Sequence, residues 1–198
     1  MKIEPICKPQ SAVWEPAVQQ KAFRQLMNAF AFPGSLETLL PEVQERENNL
    51  LRLILATLTD GAVTVADPHH MIDDHDWSKL ETNRETPEKA RFIVARGDTA
   101  PIFSPALGSL ECPEMGATVI LNVTYIGRGE ALVMRGPGIQ SEKVIACSGL
   151  TPAWLNKRSE WNGAFPLGVD MILFDTARVI AIPRTTRIKI KEGQSWDM

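Results

Sequence analysis

A chain of 198 residues with 44% hydrophobic and 23% charged side chains has the composition of an ordinary soluble globular protein, long enough to bury one core without disulfides or metals. Its net charge of −3, with Lys and Arg scattered along the chain, lacks the footprint of a nucleic-acid binder. The start MKIEPICKPQ carries charges and prolines where a secretory signal has its apolar core, and the greasiest stretch, LLRLILATL, is too short for a bilayer and contains Arg52, so a cytoplasmic protein without a membrane partner is expected.

In chain order, Pro16 suits the first turn of a helix, and Val18, Ala22, Leu26 and Phe30 recur every four residues, with Phe23 and Met27 beside them, until Pro33-Gly34. This predicts an amphipathic helix with one buried face. SLETLL reads as a short strand, followed from about Asn49 by a mostly buried helix that stops at Asp60-Gly61. Val63 to Ala66 and Arg91 to Arg96 read as strands flanking an acidic stretch with a short helix around Trp77 to Asn83. Prolines and glycines between Gly97 and Gly116 predict a long ordered loop.

ATVILNVTYI and EALVMRG are β-rich and separated by Gly-Arg-Gly, a hairpin signal, and RGPGI closes the second strand. A third helix opens at Thr151-Pro152 and ends at Gly163, with Trp154 and Trp161 on one face as core or subunit contact. FPLGVDMIL and RVIAIPRTT form a last hairpin, and RIKIK alternates like a half-exposed edge strand. Interspersed helices and strands predict a single α/β domain over residues 1–198, a sandwich with a mixed sheet.

Three features carry candidate chemistry. All the histidines, His69, His70 and His75, lie in DPHHMIDDHD, where a helix would give His69 and His70 carboxylates four residues on; the stretch lacks HExxH and reads more simply as a solvated acidic loop. Cys7, Cys112 and Cys147 are odd in number and far apart, without CxxC spacing, and read as reduced structural thiols. There is no GxGxxG, GxxxxGK[ST] or GxSxG, so the glycines read as turn residues. The third feature is Pro-Arg-Thr-Thr. Arg184 shares parity with Ile180, Ile182, Ile188 and Ile190, so a straight strand would turn it inward, where it needs a partner. A hairpin centred on Thr176-Ala177 brings Asp170 opposite or diagonal to it. Asp170, Arg184, Thr185 and Thr186 are therefore the candidate ligand- or partner-binding residues, with a salt bridge favoured over a ligand-facing arginine.

The runs AFRQLMNAFAFPG (22–34), LLRLILATLTD (50–60), PEMGATVIL (113–121), RGPGI (135–139), FPLGVDMIL (165–173) and AIPRTT (181–186) resemble, in order, the motifs of the PhnH family, the H subunit of the bacterial carbon–phosphorus lyase system. DPHHMIDDHD, the first dozen residues and the tail after Ile188 lie outside that resemblance. It implies a cytoplasmic homodimer, a three-layer αβα sandwich like that of pyridoxal-phosphate-dependent transferases but with no cofactor, and G, I and J partner subunits with a functional link to L. It further implies phosphonate catabolism, in which the complex makes α-D-ribose 1-methylphosphonate 5-triphosphate from ATP and methylphosphonate. The resemblance also implies that the nucleosidase step is placed on the I subunit and bond cleavage on an iron–sulfur radical of J, so no residue here is carried over as catalytic. The rival expectations are a free-standing enzyme or binding protein for a phosphorylated metabolite at Arg184, a metal protein using the histidines, and a pyridoxal-phosphate enzyme by fold analogy alone.

Overall fold

The structure, a computed structural model, describes residues 12–39 and 49–191. A 3₁₀ turn at Ala12–Trp14 leads into α1 (Pro16–Ala31), then β1 (Glu37–Thr38), α2 (Asn49–Leu58), β2 (Thr64–Ala66), α3 (Asp74–Trp77), β3 (Asn83–Arg84) and β4 (Phe92–Arg96). A 3₁₀ turn at Pro113–Met115 precedes β5 (Thr118–Asn122), β6 (Tyr125–Arg135), β7 (Lys143–Ser148), α4 (Pro152–Trp161), β8 (Asp170–Phe174), β9 (Arg178–Ile182) and β10 (Arg187–Ile190). None of the described helices is long and apolar enough to cross a membrane.

Seven strands form a mixed sheet in the order β1-β9-β8-β5-β4-β2-β3. The run from β8 through β5, β4 and β2 to β3 is parallel, and β9 and β1 close one side antiparallel. The central strands FIVAR, TVILN and DMILF are nearly continuous apolar runs because both of their faces are covered. Alternation divides them: Val94, Ile120 and Ile172 join the core under α1 and α2, whereas Ile93, Val119 and Met171, with Ile180 of β9, join the core on the other face.

That second face is where the architecture departs from a purely helical third layer. It is covered jointly by α4 and by a three-stranded antiparallel sheet, β10-β6-β7, whose Leu132, Met134 and Ile145 pack into the same core as Trp154 and Trp161. The hairpin expected between ATVIL and EALVMRG does not form. β5 lies in the large sheet, while Gly127-Arg128-Gly129 falls inside β6 at an irregularity between Ile126 and Glu130, and β6 takes β7 as its hairpin partner. Gly127 and Gly129 have φ of +109° and +110°, a backbone that favours glycine, so the turn signal was real but marks a bulge.

α1 starts at Pro16 and buries Ala22, Leu26 and Ala29, but Phe23 and Met27 are exposed, one step round from the stripe. The short helix lies at Asp74–Trp77, earlier than predicted, because Asp73 accepts from the Asp76 N–H at 2.7 Å and so starts it there. The 97–112 loop has no regular element and is tied down by Trp154, whose Nε1 donates to the carbonyls of Arg96 (3.1 Å) and Thr99 (2.8 Å). Phe103 completes a cluster with Trp154 and Trp161 at centroid separations of 6.0 and 6.3 Å, so the tryptophan face is core.

Candidate functional site

Asp170 begins β8 and Arg184 follows β9, at the end of the sheet where the parallel strands start. The hairpin register pairs Met171 with Ile182, and continuing it sets Asp170 opposite Pro183 and diagonal to Arg184. The Asp170 carboxylate accepts from the Arg184 backbone N–H at 2.7 Å, from Nη2 at 2.7 Å and from Nε at 3.2 Å. Nη1 turns the other way and donates to the carbonyls of Pro113 (2.7 Å) and Pro166 (3.3 Å). A planar fork with several fixed donors is what lets one side chain join three segments. Its side chain is 12% exposed and that of Asp170 is 20% exposed, so little water competes.

The glycines of two motifs make room for this clamp. A Cβ on Gly116 would lie 2.3 Å from the Gly168 carbonyl and 2.9 Å from Arg184 Nη1, and Gly168 itself has φ of +140°. Asn162, just past α4, accepts from Val169 N–H at 2.8 Å and donates back to the Val169 carbonyl at 3.2 Å. Thus PEMG, FPLGVD and IPRTT, far apart in sequence, meet around one guanidinium.

The inward position of Arg184 was expected from a straight strand, but the chain does not run straight. β9 ends at Ile182, Thr186 N–H donates to the Pro183 carbonyl at 2.9 Å to form a turn, and the chain then enters β10 of the other sheet, where Ile188 and Ile190 are only partly buried. Of the remaining candidates, Thr185 is exposed and Thr186 is buried.

Two more arginines gather here. Arg91, ahead of β4, donates from Nη1 to the carbonyls of Glu114 and Gly116; burial, and then the charge of Arg184, holds its pKa below the ordinary guanidinium range. Arg158 on α4 donates from Nη2 to the Pro183 carbonyl at 2.6 Å. Burial pushes its pKa down to about 10, against the pull of Asp170. Sequence reasoning missed Arg158, although it lies four residues after Trp154 and three before Trp161, on the same helical stripe. Arg158 and Arg184, with Arg187 and Lys189, line a cavity of about 590 Å³ between α4 and the 184–189 segment.

The histidines are elsewhere and apart. DPHHMIDDHD is not helical before Asp74, so the four-residue spacing that suggested metal ligands is not realised. His69 Nδ1 accepts from the Arg96 N–H at 2.9 Å, His70 and His75 are exposed, and Asp67 accepts from Met71 and Ile72 N–H. Among the described residues no three His, Cys, Asp or Glu side chains cluster as a metal site. Cys112 is exposed and unbridged; Cys147 is buried, which pushes its thiol up to about 11. Cys7 lies outside the described residues.

These features define a mixed α/β protein with an arginine-rich cavity at the starting end of its parallel strands. The chain belongs to the PhnH family: the family described as bacterial phosphonate metabolism protein (PhnH) matches residues 11–189. It is 45% identical over 179 residues, covering 90% of each chain, to HtxG of Stutzerimonas stutzeri, named as a candidate C-P lyase subunit protein. It is 29% identical over 180 residues to the PhnH subunit of alpha-D-ribose 1-methylphosphonate 5-triphosphate synthase of Rhizobium meliloti (strain 1021), covering 86% of this chain and 90% of that one.

Proposed function

We propose that the chain is a non-catalytic assembly subunit of a carbon–phosphorus lyase core complex, acting as one domain. The observation that carries this is the match of both relatives over nearly their whole length, each named as a subunit of such a system. In this reading the chain associates with G-, I- and J-type subunits, is linked to L, forms a homodimer and works in the cytoplasm. The assembly, a transferase and lyase in sequence, makes α-D-ribose 1-methylphosphonate 5-triphosphate from ATP and methylphosphonate. The Arg184–Asp170 clamp fits a structural duty, since its guanidinium is already committed to protein oxygens. We also propose that the seven-stranded mixed sheet is that of the pyridoxal-phosphate-dependent transferases, kept without the cofactor.

Co-expression with the G, I and J subunits, followed by affinity capture and size-exclusion chromatography, tests the assembly. One co-eluting complex is the expected result. A stable chain that elutes apart from all three partners overturns it.

A further inference from the structure

The cavity beside the clamp has an imbalance that the clamp does not explain. Four cationic side chains, Arg158, Arg184, Arg187 and Lys189, line it, and among the described residues no carboxylate does. Arg184 is committed to Asp170 and two carbonyls. Arg187 and Lys189 are exposed and have no ion pair among the described residues.

Arg158 is the unusual member. It is 4% exposed, holds one carbonyl through Nη2, and its Nε is buried with no partner among the described residues. Thr186, 1% exposed, lines the same cavity with a buried, unpartnered Oγ1. The large majority of buried side-chain polar atoms are paired in folded proteins, and a buried cation without a carboxylate is costly. Asp170 lies close enough to attract Arg158, but its oxygens already accept from Arg184. Two residues of one cationic cavity wall, each carrying a buried polar atom that no protein group among the described residues satisfies, mark a place for an incoming anion.

The charge count selects the anion. Three cations outside the clamp exceed what a single carboxylate neutralises, whereas a phosphoryl or phosphonyl group brings up to two negative charges and three acceptor oxygens. At about 590 Å³ the cavity is larger than such a group alone and has the size of a small-molecule site. Leu155, Phe165 and Ile188 add apolar surface to a wall that also carries Ser159, Asn162 and Thr185, suited to the organic part of the ligand and its polar groups.

We propose that this cavity binds the phosphoryl or phosphonyl group of a small anionic metabolite, with Arg158 as the buried anchor, Thr186 Oγ1 as a second hydrogen-bonding group, and Arg187 and Lys189 at the mouth. The proposal does not rest on the assembly reading, because every residue it names belongs to this one chain.

The test uses the isolated full chain. Calorimetry and thermal unfolding are followed with methylphosphonate, inorganic phosphate and tripolyphosphate, and with acetate at matched ionic strength. A concentration-dependent rise in melting temperature with one or more phosphorus oxyanions, and none with acetate, is the expected result. Methylphosphonate acting alone assigns a phosphonate ligand, and tripolyphosphate binding more tightly than phosphate assigns a polyphosphorylated one. Arg158→Met, which keeps length and apolar packing, is expected to weaken binding at least about tenfold through the loss of a charge-assisted contact. If that variant does not fold, the exposed Arg187→Ala/Lys189→Ala pair carries the test, with binding weakened about threefold to tenfold and made less salt-sensitive. No stabilisation by any phosphorus oxyanion overturns the proposal. So does binding that survives unchanged in the folded variants.

Discussion

Arg184→Ala separates a clamp from a ligand-facing arginine. The substitution removes the Nε and Nη2 bonds to Asp170 and the Nη1 bonds to the carbonyls of Pro113 and Pro166. Breaking one partner of a buried pair costs about 3–5 kcal/mol. Two features place this site at the low end: the side chains are 12% and 20% exposed, and the backbone N–H at 184 still donates to Asp170 after the change. The expected loss is about 3 kcal/mol, or roughly 6–12 °C in melting temperature for a chain of this size. Urea unfolding followed by tryptophan fluorescence reads it directly, since Trp154 and Trp161 are buried beside α4's contact with the sheet. Arg184→Lys retains the charge but cannot span Asp170 and the two carbonyls together, so it falls between wild type and alanine. A double-mutant cycle with Asp170→Asn isolates the pair. An alanine variant within about 2 °C of wild type, on the same scale of degrees per kcal/mol, would refute the clamp.

Gly116→Ala is expected to cost about 2 kcal/mol or more, because its Cβ would lie 2.3 Å from the Gly168 carbonyl; Gly61→Ala, whose nearest neighbour is 4.0 Å away, serves as the near-neutral control. Equal melting temperatures for the two would count against the close approach. At the opposite end of β8, burial raises the Asp175 pKa, but hydrogen bonds from Ala177, Ile126 and Arg178 more than offset it and hold the carboxyl below its ordinary range. A depressed folded value contributes stability above the unfolded pKa near about 3.9, and that contribution disappears as pH falls through the folded value. The urea-midpoint gap between wild type and Asp175→Asn should therefore shrink from about pH 7 to pH 3, and a constant gap would reject the assignment. In a Cys7→Ser background, a disulfide-exchange reagent should modify exposed Cys112 rapidly and Cys147, with its pKa near about 11, only on unfolding; two fast thiols would contradict the burial.

The elements that sequence resolves here are those whose determinants are local. Pro16, the four-residue apolar stripe and Pro33-Gly34 bracket α1, and the polar turn in MILFDTARVIAI fixes the β8–β9 hairpin and so the meeting of Asp170 with Arg184. Pairing between distant strands was not legible. EALVMR carries the same alternation whether its partner precedes or follows it, and only the fold chooses β7 and β10 over β5. Arg158 was hidden for a related reason: a charged residue in NKRSEW looks like solvated helix surface, and only its place between Trp154 and Trp161 on the stripe betrays burial.

The three arginines at this end of the sheet divide their work by the oxygens available to them. Backbone carbonyls of Pro113, Glu114, Gly116, Pro166 and Pro183 accept from Arg91, Arg158 and Arg184, so turn segments are gathered by neutral acceptors. Carbonyls satisfy donors but do not neutralise charge, and the negative charges acting on the three arginines are those of Asp170 and, toward Arg91, Glu114. A chain of net charge −3 therefore keeps a local positive excess where three family motifs converge. If an anion in the cavity and a partner subunit both draw on that excess, their binding is linked: an anion that changes subunit affinity by some factor must have its own affinity changed by the same factor in the assembly. Measuring oxyanion affinity on the free chain and on the captured complex would show whether the cavity serves the assembly or stands apart from it.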